Sequence, residues 1–128
     1  MVAWTDYKAV ARDRGALAFE VFVAESTPQK SPEEVKAVLP DHLAYVKGLE
    51  TSGKLMLAGP LSDDSGEEMQ GAGMLVFRAA SINEARELAE NDPMHKSEAR
   101  TFRLRKWLIN EGSLSITAGL SSGHIVIS

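Results

Sequence analysis

His42 and Asp92 are the two residues best placed by type and context to do chemistry. An imidazole titrates near neutrality, so it can take or give a proton at working pH. A carboxylate that accepts a hydrogen bond from one ring nitrogen fixes the tautomer and turns the other nitrogen toward a substrate, the logic of a His–Asp dyad. Pro40 lacks an N–H and crowds the preceding turn, so the spacing predicts one helix ending near Leu39 and another running from Pro40 to about Ser52. His42 then falls in a first helical turn, where the positive end of the macrodipole favours the neutral ring while Asp41 and Asp92 push the other way. It lies beside an apolar stripe of Leu39, Leu43, Val46 and Leu49 or Glu50. Each residue also has a plainer role. A helix histidine is commonly a packing or surface group, and Asn91-Asp92-Pro93 makes a good helix stop with the aspartate bonded to nearby backbone.

Four further residues are candidates for binding a ligand. Gly59 and Pro60 close a short strand and can shape a pocket wall, where backbone approaches a ligand closely. His95, three residues after Asp92, is a surface or pocket-rim group. Arg103 shares a strand face with Arg105 and Trp107 and could grip an anionic or planar ligand, although solvation at an edge strand explains it equally well. His42, Asp92 and His95 together would make a two-histidine, one-carboxylate metal set, but no short His-x-His or His-x3-His spacing supports it and no metal is assigned. The acidic stretch from Leu61 to Gln70 lacks the ligand spacing of a calcium loop. Phosphate loops, nucleophile elbows and dinucleotide fingerprints are missing, and no cofactor is assigned.

These groups must be held by a framework that the hydrophobic pattern outlines. Trp4, Tyr7, Val10 and Ala11 predict a leading helix after Thr5 as cap, with Gly15 as its stop. Ala16–Ala24 reads as an inner strand, broken at Ser26-Thr27-Pro28. Ser31-Pro32-Glu33-Glu34 and Ser81-Ile82-Asn83-Glu84 are capping boxes that open helices. Strands are expected over Leu55–Ala58, Gly71–Arg78 and Thr101–Ile109. The order is β-α-β-β-α-β, the ferredoxin-like split βαβ of the α+β class, with both helices on one sheet face. The opposite face, with Phe22 or Val23, Met56 or Leu57, and Leu75 or Val76, would be bare in a monomer, which predicts a face-to-face homodimer. Leu114–Ile116 and Ile125–Ile127 flank a Gly/Ser-rich turn and predict an additional C-terminal strand or hairpin.

Bulk properties narrow the partners. The 128 residues suit one domain, with a core from about 16 to 109 and a tail from 110 to 128. A net charge of -4 gives no basic surface for nucleic acid or an acidic membrane. No apolar run is long enough to span a bilayer, and Asp6 and Asp13 do not suit a signal peptide, so a cytoplasmic location is expected. With no cysteine, any catalysis falls to histidine, carboxylates, hydroxyls or an added cofactor.

Asp41-His42-Leu43-Ala44-Tyr45, Gly53-Lys54-Leu55-Met56-Leu57-Ala58-Gly59-Pro60, Gly73 before a strand, Ser81 to Ala85, and Asn91-Asp92-Pro93 resemble, in that order, the YciI-like (YCII-related) family from about Ala18 to about Trp107. The resemblance implies a dimeric α+β barrel of ferredoxin-like subunits, with an active site formed by the helix histidine and the Asp-Pro aspartate, here His42 and Asp92. One characterised type in the family, a chlorohydroxyhydroquinone dehydrochlorinase, implies acid–base chemistry on a small cyclic, oxygenated substrate. The chain departs in carrying Met94-His95 where many members have an aromatic, and in its N-terminal helix and long tail. The expectation is therefore a small-molecule enzyme with a His42–Asp92 dyad, of lyase, isomerase or dehydrochlorinase type. The alternative is a dimeric, non-catalytic module that binds a small ligand.

Overall fold

A computed structural model describes all 128 residues. The chain divides into two units, Glu20–Trp107 and the pair of segments Met1–Phe19 with Leu108–Ser128.

The larger unit is built on a four-stranded sheet with strand order β2-β3-β1-β4, formed by Phe19–Pro28 (β1), Leu55–Pro60 (β2), Gly73–Phe77 (β3) and Arg100–Ile109 (β4). β1 and β2 each pair antiparallel with β3. Helices Pro32–Thr51 (α2), Ile82–Glu90 (α3) and the short Pro93–Lys96 (α4) complete the expected β-α-β-β-α-β order. Ser31 and Ser81 cap α2 and α3 by accepting the N–H of Glu34 and Glu84, as their sequence boxes predict.

Strand alternation decides what faces the helices. Phe22 and Ala24 of β1 lie opposite Phe77 and Leu75 of β3, and these four form the core with Leu49, Ala85 and Ala89 of the helices. Phe102 and Leu104 of β4 join the same cluster. Continuing by twos toward one end of the sheet brings Ser26, Gly73 and Arg100 onto this inner face, with Pro60 paired to Gly73. A register shift between Leu55 and Leu57 marks a bulge in β2.

Three expectations need correction. Pro40 does not split the helix; it lies inside a continuous 20-residue α2. The ring removes one backbone bond, but Lys36, Pro40 and the intervening Ala37 are exposed, so water can satisfy the released carbonyl while the Tyr45, Val46 and Leu49 side keeps its packing. β1 continues through Ser26 to Pro28 instead of breaking at Ser26. The outer sheet face is not bare along its centre either: Val23 and Val76 are 7% and 3% exposed within the single chain, whereas Leu57 is 57% exposed.

In the other unit, Trp4–Asp13 (α1) starts with Ala3 at the cap position, and Thr5 lies within its first turn. Ala11, Ala18 and Leu108 form a small cluster with Trp4 and Ala16. Ile116–Ala118 (β5) and Ile125–Ile127 (β6) form the expected antiparallel C-terminal hairpin, its apolar side chains largely exposed. No helix is long and apolar enough to cross a membrane.

Candidate functional site

His42 sits in mid-helix, far from the N-cap of α2, so the macrodipole reading of a first-turn histidine does not apply. Its position on the helix also differs from the expectation. The inward-leaning side chains of α2 are Val35, Val38, His42, Tyr45 and Leu49, in alternating three- and four-residue steps, whereas Leu43 is 54% exposed. His42 thus lies on the inward stripe and not beside it. That stripe can hold a polar ring because a partner waits below it.

The partner is Asp92. Its carboxylate is 1% exposed, and both oxygens lie 2.8 Å from Nδ1 of His42. A carboxylate can only accept, so the proton between them belongs to Nδ1. Nε2 is left as the basic nitrogen, with no hydrogen bond inside the protein, on a side chain that is 21% exposed. Asp92 also ends α3 and caps α4, its Oδ1 accepting the Met94 N–H at 3.0 Å. The helix-stop role and the histidine-orienting role therefore coexist in one side chain. Tyr45 braces the same region by donating its hydroxyl to the Leu88 carbonyl at 2.6 Å, and burial together with the charge of Asp92 raises its pKa, which keeps it a phenol.

His42 opens onto a cleft of about 770 Å³ between α2, the inner sheet face and the loop that precedes β3. Gly59 and Pro60 line it, as do Leu39 and Leu43 from α2, Met69–Met74 and Leu75, and Ser26 and Arg100 from the sheet. Gly71 belongs to this wall and must be glycine: its φ is +97°, and an added Cβ would fall 2.6 Å from Cγ of Pro28.

The other two sequence candidates lie elsewhere. His95 is buried beneath the cleft and does not line it. Its Nδ1–H donates to the Ala89 carbonyl at 2.7 Å, and its Nε2 accepts from the Ser26 hydroxyl at 2.8 Å. With both nitrogens committed, it does not converge with His42 on a common ligand position. Burial lowers its pKa against the opposing pull of the Ala89 bond, which favours the neutral ring. Its face rests on Phe102, with ring centroids 4.7 Å apart. Arg103 alternates out of phase with Phe102 and Leu104, so it leaves β4 on the sheet face opposite the cleft. Its neighbour Arg105 pairs with Glu25.

The sequence reading missed Ser26 and Arg100. Ser26 had the marks of a strand breaker, and Arg100 those of one member in a basic run. Arg100 Nε donates to Ser26 Oγ and one Nη to Ser26 O, each at 2.8 Å, and the same Nη donates to the Gly71 carbonyl. Period-two counting back from Phe102 and forward from Phe22 would have found both, had the strands been drawn to their full lengths.

Comparison with known proteins bears on this arrangement in two ways. A solved structure of a 5-chloro-2-hydroxyhydroquinone dehydrochlorinase from Burkholderia phenoliruptrix AC1100, in complex with 2,5-dihydroxybenzoquinone, is similar at a TM-score of 0.50 and 23% identity, covering 68% of this chain and 92% of that one. At that identity the likeness speaks for the α+β fold. No curated protein matches the chain. The model of the YCII-related domain matches residues 18–107, a span that contains His42, Gly59, Pro60 and Asp92 and excludes α1 and the C-terminal hairpin. By that match the chain belongs to the YCII-related family.

Proposed function

We propose that the protein is a small-molecule enzyme in which His42 moves a proton on a small cyclic, oxygenated substrate bound in the cleft, with Asp92 holding the ring. The observation that carries this reading is the 2.8 Å contact of Nδ1 with both Asp92 oxygens at the wall of an open cavity. Nε2 takes a proton from an O–H or C–H of the substrate, and the buried carboxylate stabilises the imidazolium that forms. In a dehydrochlorination of a chlorinated quinol, the proton taken from one hydroxyl is returned to the chlorine-bearing carbon as the ring ketonises; loss of a second hydroxyl proton to Nε2 then forms the second carbonyl and expels chloride, leaving a quinone, and the histidine passes that proton to water. In an isomerisation the same proton goes back to another carbon. Gly59 and Pro60 form wall, and the homodimer expected for the family belongs to this reading, with the exposed Leu57 as a contact.

The test is turnover. Wild type, His42→Gln and Asp92→Asn are incubated with hydroxylated and chlorinated quinols, reading chloride release and, in deuterated water, proton exchange by NMR. Conversion that survives His42→Gln unchanged defeats the reading. Ligand binding in wild type without conversion of any substrate turns it toward a non-catalytic module. Light scattering should give twice the 13.9 kDa chain mass for the dimer.

A further inference from the structure

The proposed function leaves open what the cleft recognises, and the charges around it are lopsided. Arg100, Lys30, Lys36 and His42 line it, with no aspartate or glutamate on its surface, in a chain whose net charge is -4. Asp92 lies behind His42 and is 1% exposed.

Arg100 is the unusual member. It is half-buried, and every hydrogen bond it makes goes to a neutral acceptor: the Ser26 hydroxyl, the Ser26 carbonyl and the Gly71 carbonyl. No carboxylate forms an ion pair with it, although the charge of Asp92 reaches it at longer range. A partly desolvated cation is costly unless an anion answers it. Burial accordingly lowers the Arg100 pKa, although a guanidinium stays charged in proteins. Its bonds use Nε and one Nη, so the N–H groups of the second Nη stay unbonded within the protein, on a residue that lines the cleft.

The carriage of that guanidinium is built with care about direction. Ser26 Oγ accepts from Arg100 Nε and donates to Nε2 of His95, which it can do because Nδ1 of His95 carries the ring proton and gives it to the Ala89 carbonyl. Apart from the second Nη, every polar atom in this hydrogen-bonded series is satisfied and none is an acid, so the fork is held in place and its charge is not cancelled. Leu39, Leu43, Met69 and Met74 supply an apolar wall.

We propose that the cleft takes a small organic anion with an apolar cyclic body, its ionised oxygens seated on Arg100, and that Ser26 and His95 are positioning residues for that guanidinium. This rests on the cleft being the substrate site, and it specifies the substrate as a carboxylate, phenolate or enolate. The pairing is of the charge-assisted kind that arginine forms with planar oxyanions.

Benzoate and its neutral isostere benzamide test it, titrated into the isotopically labelled full-length protein and followed by amide NMR shifts. Benzoate should bind roughly tenfold more tightly than benzamide. Arg100→Gln should lose that preference by weakening benzoate alone, and Ser26→Ala should narrow the ratio without changing benzamide, an effect that mere loss of packing would not produce. Equal affinities for the two probes in wild type, or an Arg100→Gln protein with a native spectrum that still prefers benzoate, would overturn the proposal. Should Arg100→Gln not fold, the wild-type ratio and its decline with added salt decide alone. The titration reads no turnover, so it can succeed where the His42 chemistry fails. Turnover that persists in Arg100→Gln with unchanged KM would sink the clamp and leave the dyad standing.

Discussion

The two histidines near Asp92 are the same residue in opposite circumstances. His42 has one nitrogen tied to a carboxylate and the other bare at the cleft; His95 has both nitrogens tied to neutral groups and is 9% exposed. The difference lies in what each ring is asked to tolerate. A carboxylate under His42 supplies the counter-charge that the proposed proton transfer would call on. A carbonyl and a hydroxyl against His95 bring no counter-charge, so gaining a proton would reverse the Ser26 bond and leave a buried cation beside Arg100. On the proposed reading one site is arranged to change protonation, while the other disfavours the charged ring.

That contrast can be broken in several places. The largest effect is expected from His42→Gln, which should lower turnover by about 10²–10⁴-fold, with unfolding in denaturant shifted by less than about 1 kcal/mol. Asp92→Asn should lower turnover by up to about 10⁴-fold, since asparagine caps α4 nearly as well but cannot stabilise the imidazolium or fix its tautomer. His95→Phe reverses the pattern: it strands the Ser26 hydroxyl and the Ala89 carbonyl and should cost about 1–3 kcal/mol in chemical denaturation. If His42→Gln destabilised more than His95→Phe, the assignment of roles would be inverted.

The smallest effect is in the pH dependence of stability. The folded-state pKa of His95 is depressed below its ordinary 6.5, so below that value the unfolded chain binds a proton that the native state refuses. Its contribution is present above pH 6.5 and lost as pH falls toward the folded pKa, with a slope of at most about 1.4 kcal/mol per pH unit. Denaturation midpoints of wild type and His95→Phe between pH 5 and 7 should show this slope only in wild type. Parallel profiles would show that another group supplies it.

Local rules carried far in this chain. The Ser31 and Ser81 boxes, the strand cores around Phe22, Leu75 and Phe102, the C-terminal hairpin and the Asn91-Asp92-Pro93 stop all follow from interactions within a few residues, and all are present. Pro40 shows where such rules fail. Its local cost is real, yet the burial of Tyr45, Val46 and Leu49 along one continuous helix outweighs one backbone bond that water can replace. Misplacing that break misplaced His42 on its helix, although the pairing with Asp92 was still in view.

Arg100 and Ser26 were harder to see. A serine before Thr27-Pro28 and an arginine among several carry no local mark of function; they meet across strands that are neighbours only in the folded sheet. A similar distance in sequence hid the fate of His95, whose partner Ser26 is 69 residues away. Sequence by itself determined the class of fold, the helix caps and the candidacy of His42 and Asp92, because period, local hydrogen bonding and residue type set these. Tertiary structure alone decided which histidine is open, which arginine faces the cleft and which face Arg103 takes, because those depend on strand phase and on what lies across the sheet.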